Sequence, residues 1–234
     1  MIAALILAAG KGERFGSDRL PKQFIDVAGK PLFIHSVATY ASLPEIDRIV
    51  LTSNPEYSER MREDLERYGL TDAVLLVDGG ATRQASVANA AAALGPLDAL
   101  DHDDMIIVHN AASPNTRASY VRECIEAMTG FDAVQACVPD TRTVFERSGE
   151  LVQRVLKRAS LVYNCDPLIY RADVFAHLLQ TQRERGSAGE TTSDTALELG
   201  YRIRLVESTY DNIKVTTQWD IEAVGAAMSN MSAT

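Results

Sequence analysis

Apolar and polar positions along this chain alternate in a strand–helix–strand rhythm. The first apolar run, AALILA at residues 3–8, is continuous, which is typical of a strand covered on both faces. Apolar residues at helical spacing follow at 31–42, with Pro31 at a position typical of the first helical turn. Alternating strands and helices predict a parallel sheet with right-handed crossovers.

The same rhythm extends over most of the remaining chain. Further strands are expected at 47–53, 72–80, 104–110, 131–138 and 202–208. Further helices are expected at 55–69, 82–94, 117–128, 172–184 and 195–200, with a last helix from about Gln218. We therefore expect a single α/β domain over residues 1–234, with a mostly parallel, twisted sheet.

Two segments depart from this rhythm. Residues 139–163 carry a turn signal at Ser148–Gly149 and do not fit another strand–helix unit, so we expect a protruding β-arm there. The small, polar loop GSAGETTSD at 186–194 is the best candidate for a mobile lid.

Composition and charge exclude several classes of function. The chain has 234 residues, 46% of them hydrophobic, and a formal net charge of −9. That charge argues against nucleic acid and anionic membranes as partners, so an anionic ligand would be held locally in a pocket. The apolar start at 1–10 is too short to span a bilayer and lacks a basic leader. Cys124, Cys137 and Cys165 form no metal motif, which favours a reduced, cytoplasmic setting.

The loop after the first strand carries the clearest chemical signal. Gly10, Gly12 and Gly16 can leave backbone N–H groups free to face phosphate oxygens at the carboxyl end of that strand. Their spacing matches neither the dinucleotide fingerprint nor the Walker motif, so a plain glycine-rich turn with solvated cations is the alternative. Arg14 and Lys22 beside them favour a phosphate clamp, which nucleotidyl transfer needs because charge spreads over the α-phosphate oxygens.

Longer strings of residues carry a resemblance to a known family. AAGKGERFG (8–16), LPKQF (20–24) and GKPLFIHSV (29–37) resemble the 2-C-methyl-D-erythritol 4-phosphate and ribitol-5-phosphate cytidylyltransferases. Further similar blocks, in the family's order, are GGATRQASVANA (79–90), VHNAASP (108–114), VPDT (138–141) and DNIKVTTQWDI (211–221).

This resemblance implies a fold and a reaction. The fold would be a Rossmann-like domain of the nucleotide-diphospho-sugar transferase type. The reaction would transfer CMP from CTP to a small acceptor with a phosphate or phosphonate group, such as a polyol phosphate, and release pyrophosphate. In the family this step belongs to isoprenoid biosynthesis. The family also implies Mg²⁺ as the cofactor and a homodimer in which the arm completes the neighbouring subunit's site.

The resemblance also implies a role for each matched position. The catalytic cations would be Arg14, Lys22 and Lys214. The nucleotide would be bound by Ala8, Ala9, Gly10, Gly12, Gly80, Arg83 and Ser86. The acceptor would be bound by Asn110, Thr141 and Arg158, and Asp211 would serve the metal.

The departures from the family pattern fall mostly on the acceptor side. Asn110 stands where the family has Asp, Ser113 replaces an Arg, and Thr143 replaces a Lys of the arm. The family's Gln-Thr-Pro-Gln string appears as Asn164–Pro167, with Leu168 in place of the second Gln. Asn keeps the shape of Asp without its charge and is a poor Mg²⁺ ligand. We expect Asn110→Asp to be tolerated and to restore ordinary family acceptors.

Two explanations of these departures compete. Either the acceptor pocket is altered while the CTP half is retained, or the chain is a degenerate, non-catalytic nucleotide-binding relative. We favour an altered acceptor pocket because Arg14, Lys22, Asp211 and Lys214 are all retained.

Other functional classes fit the sequence less well. A dinucleotide-binding oxidoreductase needs strict glycine spacing and an acidic residue after the second strand, where this chain has Thr52-Ser53-Asn54. A nucleotidyltransferase that uses another NTP shares the glycine loop and the lysine, but GGATRQAS (79–86) favours cytosine. Taken alone, that block is equally an ordinary strand-to-helix turn capped by Thr82.

Overall fold

The alternating apolar runs form one seven-stranded sheet in the computed structural model, which describes residues 1–10, 21–186 and 191–231. In chain order the strands are β1 (Ile2–Leu7), β2 (Asp26–Val27), β3 (Lys30–Pro31), β4 (Arg48–Ser53), β5 (Leu75–Asp78), β6 (Met105–Asn110), β7 (Ala133–Pro139), β8 (Phe145–Ser148), β9 (Leu151–Val155), β10 (Val162–Arg171) and β11 (Ile203–Glu207). The large sheet has the order β11-β7-β10-β6-β1-β4-β5, and all of its strands except β10 run in one direction. The predicted α/β fold with a mostly parallel sheet is confirmed.

The helices begin and end within one turn of their predicted bounds. They are α1 (Leu32–Ala41), α2 (Ser58–Arg67), α3 (Arg83–Ala92), α4 (Ala118–Glu126), α5 (Ala172–Arg185), α6 (Thr192–Glu198) and α7 (Gln218–Met231). Pro31 precedes α1 as its N-cap. None of the helices in the described ranges is both long and apolar enough to cross a membrane.

One interior strand, β10, is not expected from the sequence pattern; it lies between β6 and β7 and runs antiparallel to both. Asp166 and Pro167 interrupt its apolar run, and its register with β7 shifts between Asn164 and Leu168. Because proline removes a donor from the ladder, this stretch does not have the pattern of an interior strand. The predicted arm, 139–163, consequently includes residues at both ends that pair within the large sheet.

Successive residues of β1 face opposite layers of helices. Ala4 and Ile6 pack on the side covered by α1, α2 and α4, whereas Ala3 and Leu5 face α3, α5 and α6. All four side chains are fully buried. The strand is therefore covered on both faces, as its continuous apolar run predicts.

β8 and β9 form a hairpin of their own, apart from the large sheet. Gly149 adopts a φ of 56° at the turn, a left-handed conformation that glycine adopts without strain. The hairpin exposes apolar side chains, among them Leu151, which is 75% exposed, and Val155, which is 60% exposed. A surface of this kind is typical of a protein–protein contact.

The loop predicted as a lid is shorter in the structure. α5 ends at Arg185 and is capped by Gly186, which has a φ of 63°. Residues 187–190 lie outside the described residues. Thr191 caps α6 in a capping box with Asp194, so residues 191–194 form the start of a helix and are not part of a loop.

Asp220 anchors the start of α7. Its carboxylate accepts hydrogen bonds from the backbone N–H groups of Thr216 and Thr217, both at 2.7 Å, and from the Thr216 hydroxyl at 2.8 Å. Burial tends to raise the pKa of Asp220, but these hydrogen bonds outweigh it, so the pKa lies below its ordinary value. The ionised carboxylate therefore stabilises this helix start.

We expect Asp220→Asn to lower the free energy of unfolding by about 1 kcal/mol at pH 7. A carboxyl group with a lowered native pKa stabilises the fold only while it is ionised. The difference from the wild type should therefore shrink as the pH falls below about 4. Urea unfolding at pH 7 and at about pH 3 measures it, with Glu222→Gln on the exposed side of the same helix as the control. A difference that does not depend on pH would contradict this role.

Candidate functional site

A cleft of about 750 Å³ lies at the carboxyl ends of β1, β4, β5 and β6. Its walls are the loop after β1, the turn after β5, the end of β6 and the segment before α7. The residues that line it are Leu7, Ala8, Ala9, Gly10, Lys22, Gln23, Asn54, Pro55, Gly79, Gly80, Ala81, Thr82, Arg83, Ser86, Asn110, Ala111, Ala112, Lys214 and Thr216. In open parallel sheets, ligands bind at this edge.

Most of the predicted site residues meet in this cleft. They are Ala8, Ala9, Gly10, Lys22, Gly80, Arg83, Ser86, Asn110 and Lys214. Thr141 and Arg158 are exposed and do not line it, and Arg158 lies instead at a second cavity at the base of the hairpin. The remaining predicted positions in the first loop, Gly12, Arg14 and Gly16, lie outside the described residues.

The loop after β1 and the turn after β5 pack closely against each other. The N–H of Ala8 donates to the Thr52 hydroxyl at 3.1 Å, and the N–H of Gly79 donates to the Ser53 carbonyl at 2.7 Å. A Cβ atom at Gly79 would overlap that of Ala9. Glycine is therefore required here for the close approach of two loops.

Ser86 holds the turn after β5 in place. Its hydroxyl accepts a hydrogen bond from the N–H of Gly80 and donates to the carbonyl of Thr82, both at 3.0 Å. The Thr82 hydroxyl in turn accepts from the N–H of Ala85 at 3.0 Å. The turn thus presents a fixed stretch of main chain to the cleft, and Ser86 acts as its support.

Lys22 and Lys214 bring positive charge to the cleft from opposite ends of the chain. Lys22 is followed by the buried Phe24, whose ring packs edge-on against Phe33 with centroids 5.8 Å apart. The Nζ of Lys22 donates to the carbonyl of Val215 at 2.9 Å. Two lysines on one cleft suit a polyanionic ligand.

Asn212 is a buried polar residue near the cleft to which no sequence pattern assigns a role. Its amide nitrogen donates to the Asp166 carbonyl at 2.7 Å and to the Ser208 hydroxyl at 3.1 Å, and its oxygen accepts from the Thr116 hydroxyl at 2.9 Å. These bonds fix the segment that leads to Lys214. Most of the partners are distant in sequence, so no local pattern marks Asn212.

Asp211, which the resemblance assigns to the metal, is engaged by other side chains. Its carboxylate accepts hydrogen bonds from Arg117 and from the Thr209 hydroxyl. Burial tends to raise the pKa of Asp211, but these two partners outweigh it, so the pKa lies below its ordinary value. Asp211 does not line the cleft. Its role as a metal ligand stays a prediction that this geometry does not favour.

His109, one residue before Asn110, is a fully buried core residue. Its Nδ1 lies 3.1 Å from the hydroxyl of Tyr40, and the two rings pack edge-on. Burial lowers the pKa of the imidazole and so favours its neutral form. We assign it to packing beneath the cleft.

Three of the positions that depart from the family pattern are in contact. Asp166 is only 6% exposed, and its carboxylate accepts from Nδ2 of Asn110 at 2.9 and 3.0 Å and from the Ser113 hydroxyl. The expectation that Asn110→Asp is tolerated stays a prediction, and this geometry does not favour it. The substitution would place two carboxyl groups about 2.9 Å apart, where both cannot be ionised.

Comparisons with known proteins point to one family. The family model described as IspD, 2-C-methyl-D-erythritol 4-phosphate cytidylyltransferase, matches residues 2–230. A relative of that name from Geobacillus kaustophilus is 27% identical over 230 residues, which is 98% of each chain. One from Geobacillus thermodenitrificans is 28% identical over 218 residues, 93% of this chain and 92% of its own length.

Solved structures share the fold over nearly the whole chain. The 4-diphosphocytidyl-2C-methyl-D-erythritol synthase of Anaerococcus prevotii matches with a TM-score of 0.78 and 22% identity, covering 97% of this chain and 98% of its own. The 2-C-methyl-D-erythritol 4-phosphate cytidylyltransferase of Thermus thermophilus matches with a TM-score of 0.75 and 24% identity over the same shares.

The packing of Gly79 against Ala9 gives a testable prediction. We expect Gly79→Ala to lower the free energy of unfolding by about 1–3 kcal/mol, because the added methyl group must push the two loops apart. Chemical denaturation measures the loss. A thermal shift with CTP should also be smaller than that of the wild type, because the displaced loops line the cleft.

Gly225→Ala is the matched control. Gly225 lies in the interior of α7, and a Cβ there would be 3.9 Å from Cγ1 of Val27, an ordinary contact. This change should leave stability equal or raise it by about 0.5–1 kcal/mol. Equal effects of the two substitutions would contradict the role of Gly79.

Proposed function

Because the chain belongs to the 2-C-methyl-D-erythritol 4-phosphate cytidylyltransferase family, we propose that it transfers the cytidylyl group of CTP to the phosphate of 2-C-methyl-D-erythritol 4-phosphate, or of a similar polyol phosphate. Pyrophosphate is the second product. Members of this family are nucleotidyltransferases of isoprenoid biosynthesis. The observation that carries the proposal is the meeting of Lys22, Lys214 and the turn at Gly79–Gly80 in one cleft.

The cleft suits a nucleoside triphosphate in both size and chemistry. Its volume, about 750 Å³, lies within the range of small-molecule sites. The fixed main chain from Gly79 to Thr82 provides the polar edge that recognition of a cytosine needs. The loop at Ala8–Gly10 and the two lysines, Lys22 and Lys214, then lie where the phosphates would be neutralised.

The reaction is a direct displacement at the α-phosphorus of CTP. An oxygen of the acceptor phosphate forms the new P–O bond as the bond from the α-phosphorus to the bridging oxygen breaks, and pyrophosphate leaves in line. No covalent enzyme intermediate is needed. Catalysis by this chain consists of positioning both anions and offsetting charge with Lys22 and Lys214.

Mg²⁺ is the proposed cofactor, held mainly by phosphate oxygens and water. Within the described residues, no three His, Cys, Asp or Glu side chains are grouped as metal ligands. Magnesium bound with nucleotides often relies on substrate phosphates and only one or two carboxylates. When bound, the ion would offset further charge on the triphosphate.

A homodimer is proposed because the acceptor residues of the arm do not reach the cleft of their own chain. Thr141 and Arg158 lie at the base of the hairpin and outside the cleft lining. A second copy could receive them through the exposed apolar surface at Leu151 and Val155. We also propose a cytoplasmic location, because all three cysteines are unpaired thiols.

The proposed reaction predicts that Lys22→Ala lowers kcat about 10²–10³-fold, with a smaller effect on the KM for CTP. The lysine offsets charge that develops in the transition state, so its loss acts mainly on turnover. Pyrophosphate release from CTP and Mg²⁺ should be measured with 2-C-methyl-D-erythritol 4-phosphate, with ribitol 5-phosphate and without an acceptor. Mass spectrometry then identifies the CDP-linked product.

Lys30→Ala is the matched control, because Lys30 is exposed, stacks over the ring of Tyr68 and does not line the cleft. It should retain wild-type kinetics. Wild-type protein that releases no pyrophosphate with any acceptor would refute the proposed function. A Lys22→Ala variant with the kcat of the wild type would refute the role of that residue.

The proposed dimer predicts that Leu151→Lys in the arm yields a monomer with reduced activity. The lysine ammonium group would be buried without a partner if the hairpin surface formed an interface, and burying an unpaired charge is unfavourable. Size-exclusion chromatography with light scattering measures the mass. Leu205→Lys is the control, because Leu205 is 52% exposed on the edge strand β11, away from the hairpin. This substitution should leave the mass of the particle in solution unchanged. A dimer that persists in Leu151→Lys would count against the arm as the interface.

A further inference from the structure

Asp166 is a buried carboxylate directly behind the cleft residue Asn110, and the family resemblance assigns it no role. Its oxygens accept from the backbone N–H of Asn110 at 3.2 Å, from Nδ2 of the same residue at 2.9 and 3.0 Å, and from the hydroxyl of Ser113. Its backbone carbonyl accepts from Asn212 at 2.7 Å, which links it to the segment carrying Lys214.

The chemistry of a carboxylate fixes the orientation of the Asn110 side chain. An ionised carboxylate can only accept hydrogen bonds, so the amide nitrogen of Asn110 must face Asp166. The amide oxygen then points the other way. Asn110 lines the cleft, and none of the described residues donates a hydrogen bond to this oxygen. The cleft therefore receives a hydrogen-bond acceptor from Asn110.

A purely structural contact would not require a carboxylate at position 166. Burying a charge is costly, and no ion pair within the described ranges includes Asp166. An uncharged Asn at 166 could fill the same space and bond to Asn110 in either orientation of the two amides. Only a carboxylate, which has no donor, excludes the flipped orientation in which Asn110 presents its NH₂ group to the cleft.

We propose that Asp166 is a positioning residue that holds the Asn110 oxygen toward the cleft, where it accepts a hydrogen bond from a hydroxyl group of the acceptor substrate. This inference rests on the proposed function and names the recognition chemistry of its second substrate. The site thus selects a phosphorylated acceptor with a free hydroxyl group. It does so with a neutral amide oxygen on the cleft surface and with the negative charge buried behind it.

The test uses the near-isosteric change Asp166→Asn, which permits Asn110 to flip. We expect the KM for the acceptor to rise about tenfold or more, while the KM for CTP stays within about twofold, because the lost hydrogen bond concerns only the acceptor. The exchanged pair Asn110→Asp/Asp166→Asn should restore the acceptor KM to within about threefold of the wild type. In that pair the carboxylate introduced at position 110 bonds to the amide nitrogen at position 166 and again offers only acceptors to the cleft.

The control is Asp64→Asn, which removes another carboxylate of low exposure, 9%, on α2, outside the cleft lining. It should leave both KM values unchanged. An unchanged acceptor KM in Asp166→Asn would overturn the proposal. An equal rise of both KM values, or an exchanged pair without recovery, would also overturn it and would leave Asp166 a structural role only.

A second measurement does not depend on activity and separates this proposal from the proposed function. In ¹⁵N-labelled protein, the side-chain NH₂ signals of Asn110 are assigned by their loss in Asn110→Ser. They should exchange slowly with solvent in the wild type and at least about tenfold faster in Asp166→Ala. Exposed, fast-exchanging signals in the wild type would refute the orientation. Slow exchange in a protein without any pyrophosphate release would refute only the proposed reaction.

Discussion

The main chain of Val215 joins three of the segments that line the cleft, and the geometry of the site depends on it. Its N–H donates to the carbonyl of Ala112 after β6 at 2.7 Å, and its carbonyl accepts from Nζ of Lys22 at 2.9 Å. The side chain is fully buried beside Leu32 and Val224. Because both bonds use main-chain atoms of Val215, the backbone beside Lys214 is tied to the segment after β6 and to the side chain of Lys22.

On the acceptor side of the cleft, Asn110 replaces the Asp of the family pattern, but a negative charge is still present close by. The cleft surface carries the amide of Asn110, and the charge lies behind it on Asp166. Burial of an isolated carboxylate is unfavourable, but hydrogen bonds from Asn110 and Ser113 offset part of that cost. The three residues form one hydrogen-bonded unit, so Asp166→Ala would leave the donors of Asn110 and Ser113 unpaired, and Asn110→Asp would bring a second carboxyl group against Asp166.

Local patterns predict the helices and the parallel strands, whereas the family resemblance supplies most of the predicted cleft residues, such as Gly80, Arg83 and Lys214. Apolar residues with a period of two or of 3.6 indicate which face of a strand or helix is buried. Glycine-rich turns that bind ligands lie at the carboxyl ends of strands in open parallel sheets. β10 could not be predicted this way, because Pro167 and its polar neighbours conceal an interior strand. Asp166 and Asn212 were missed for a related reason: their contacts join residues far apart in sequence, which no window along the chain can detect.

The reversed direction of β10 also has a consequence for the hairpin formed by β8 and β9. The chain leaves the large sheet at the end of β7 and re-enters it directly opposite, where Val162 pairs with Pro139. The segment that contains the hairpin therefore begins and ends next to the Pro139–Val162 pair, at the same edge of the sheet as the cleft. Its length can vary without moving Asp166, since hydrogen bonds with Asn110, Ser113 and Asn212 hold that residue in place. The tip of the hairpin, which carries the surface proposed for a dimer, can therefore change while the wall of the cleft is retained.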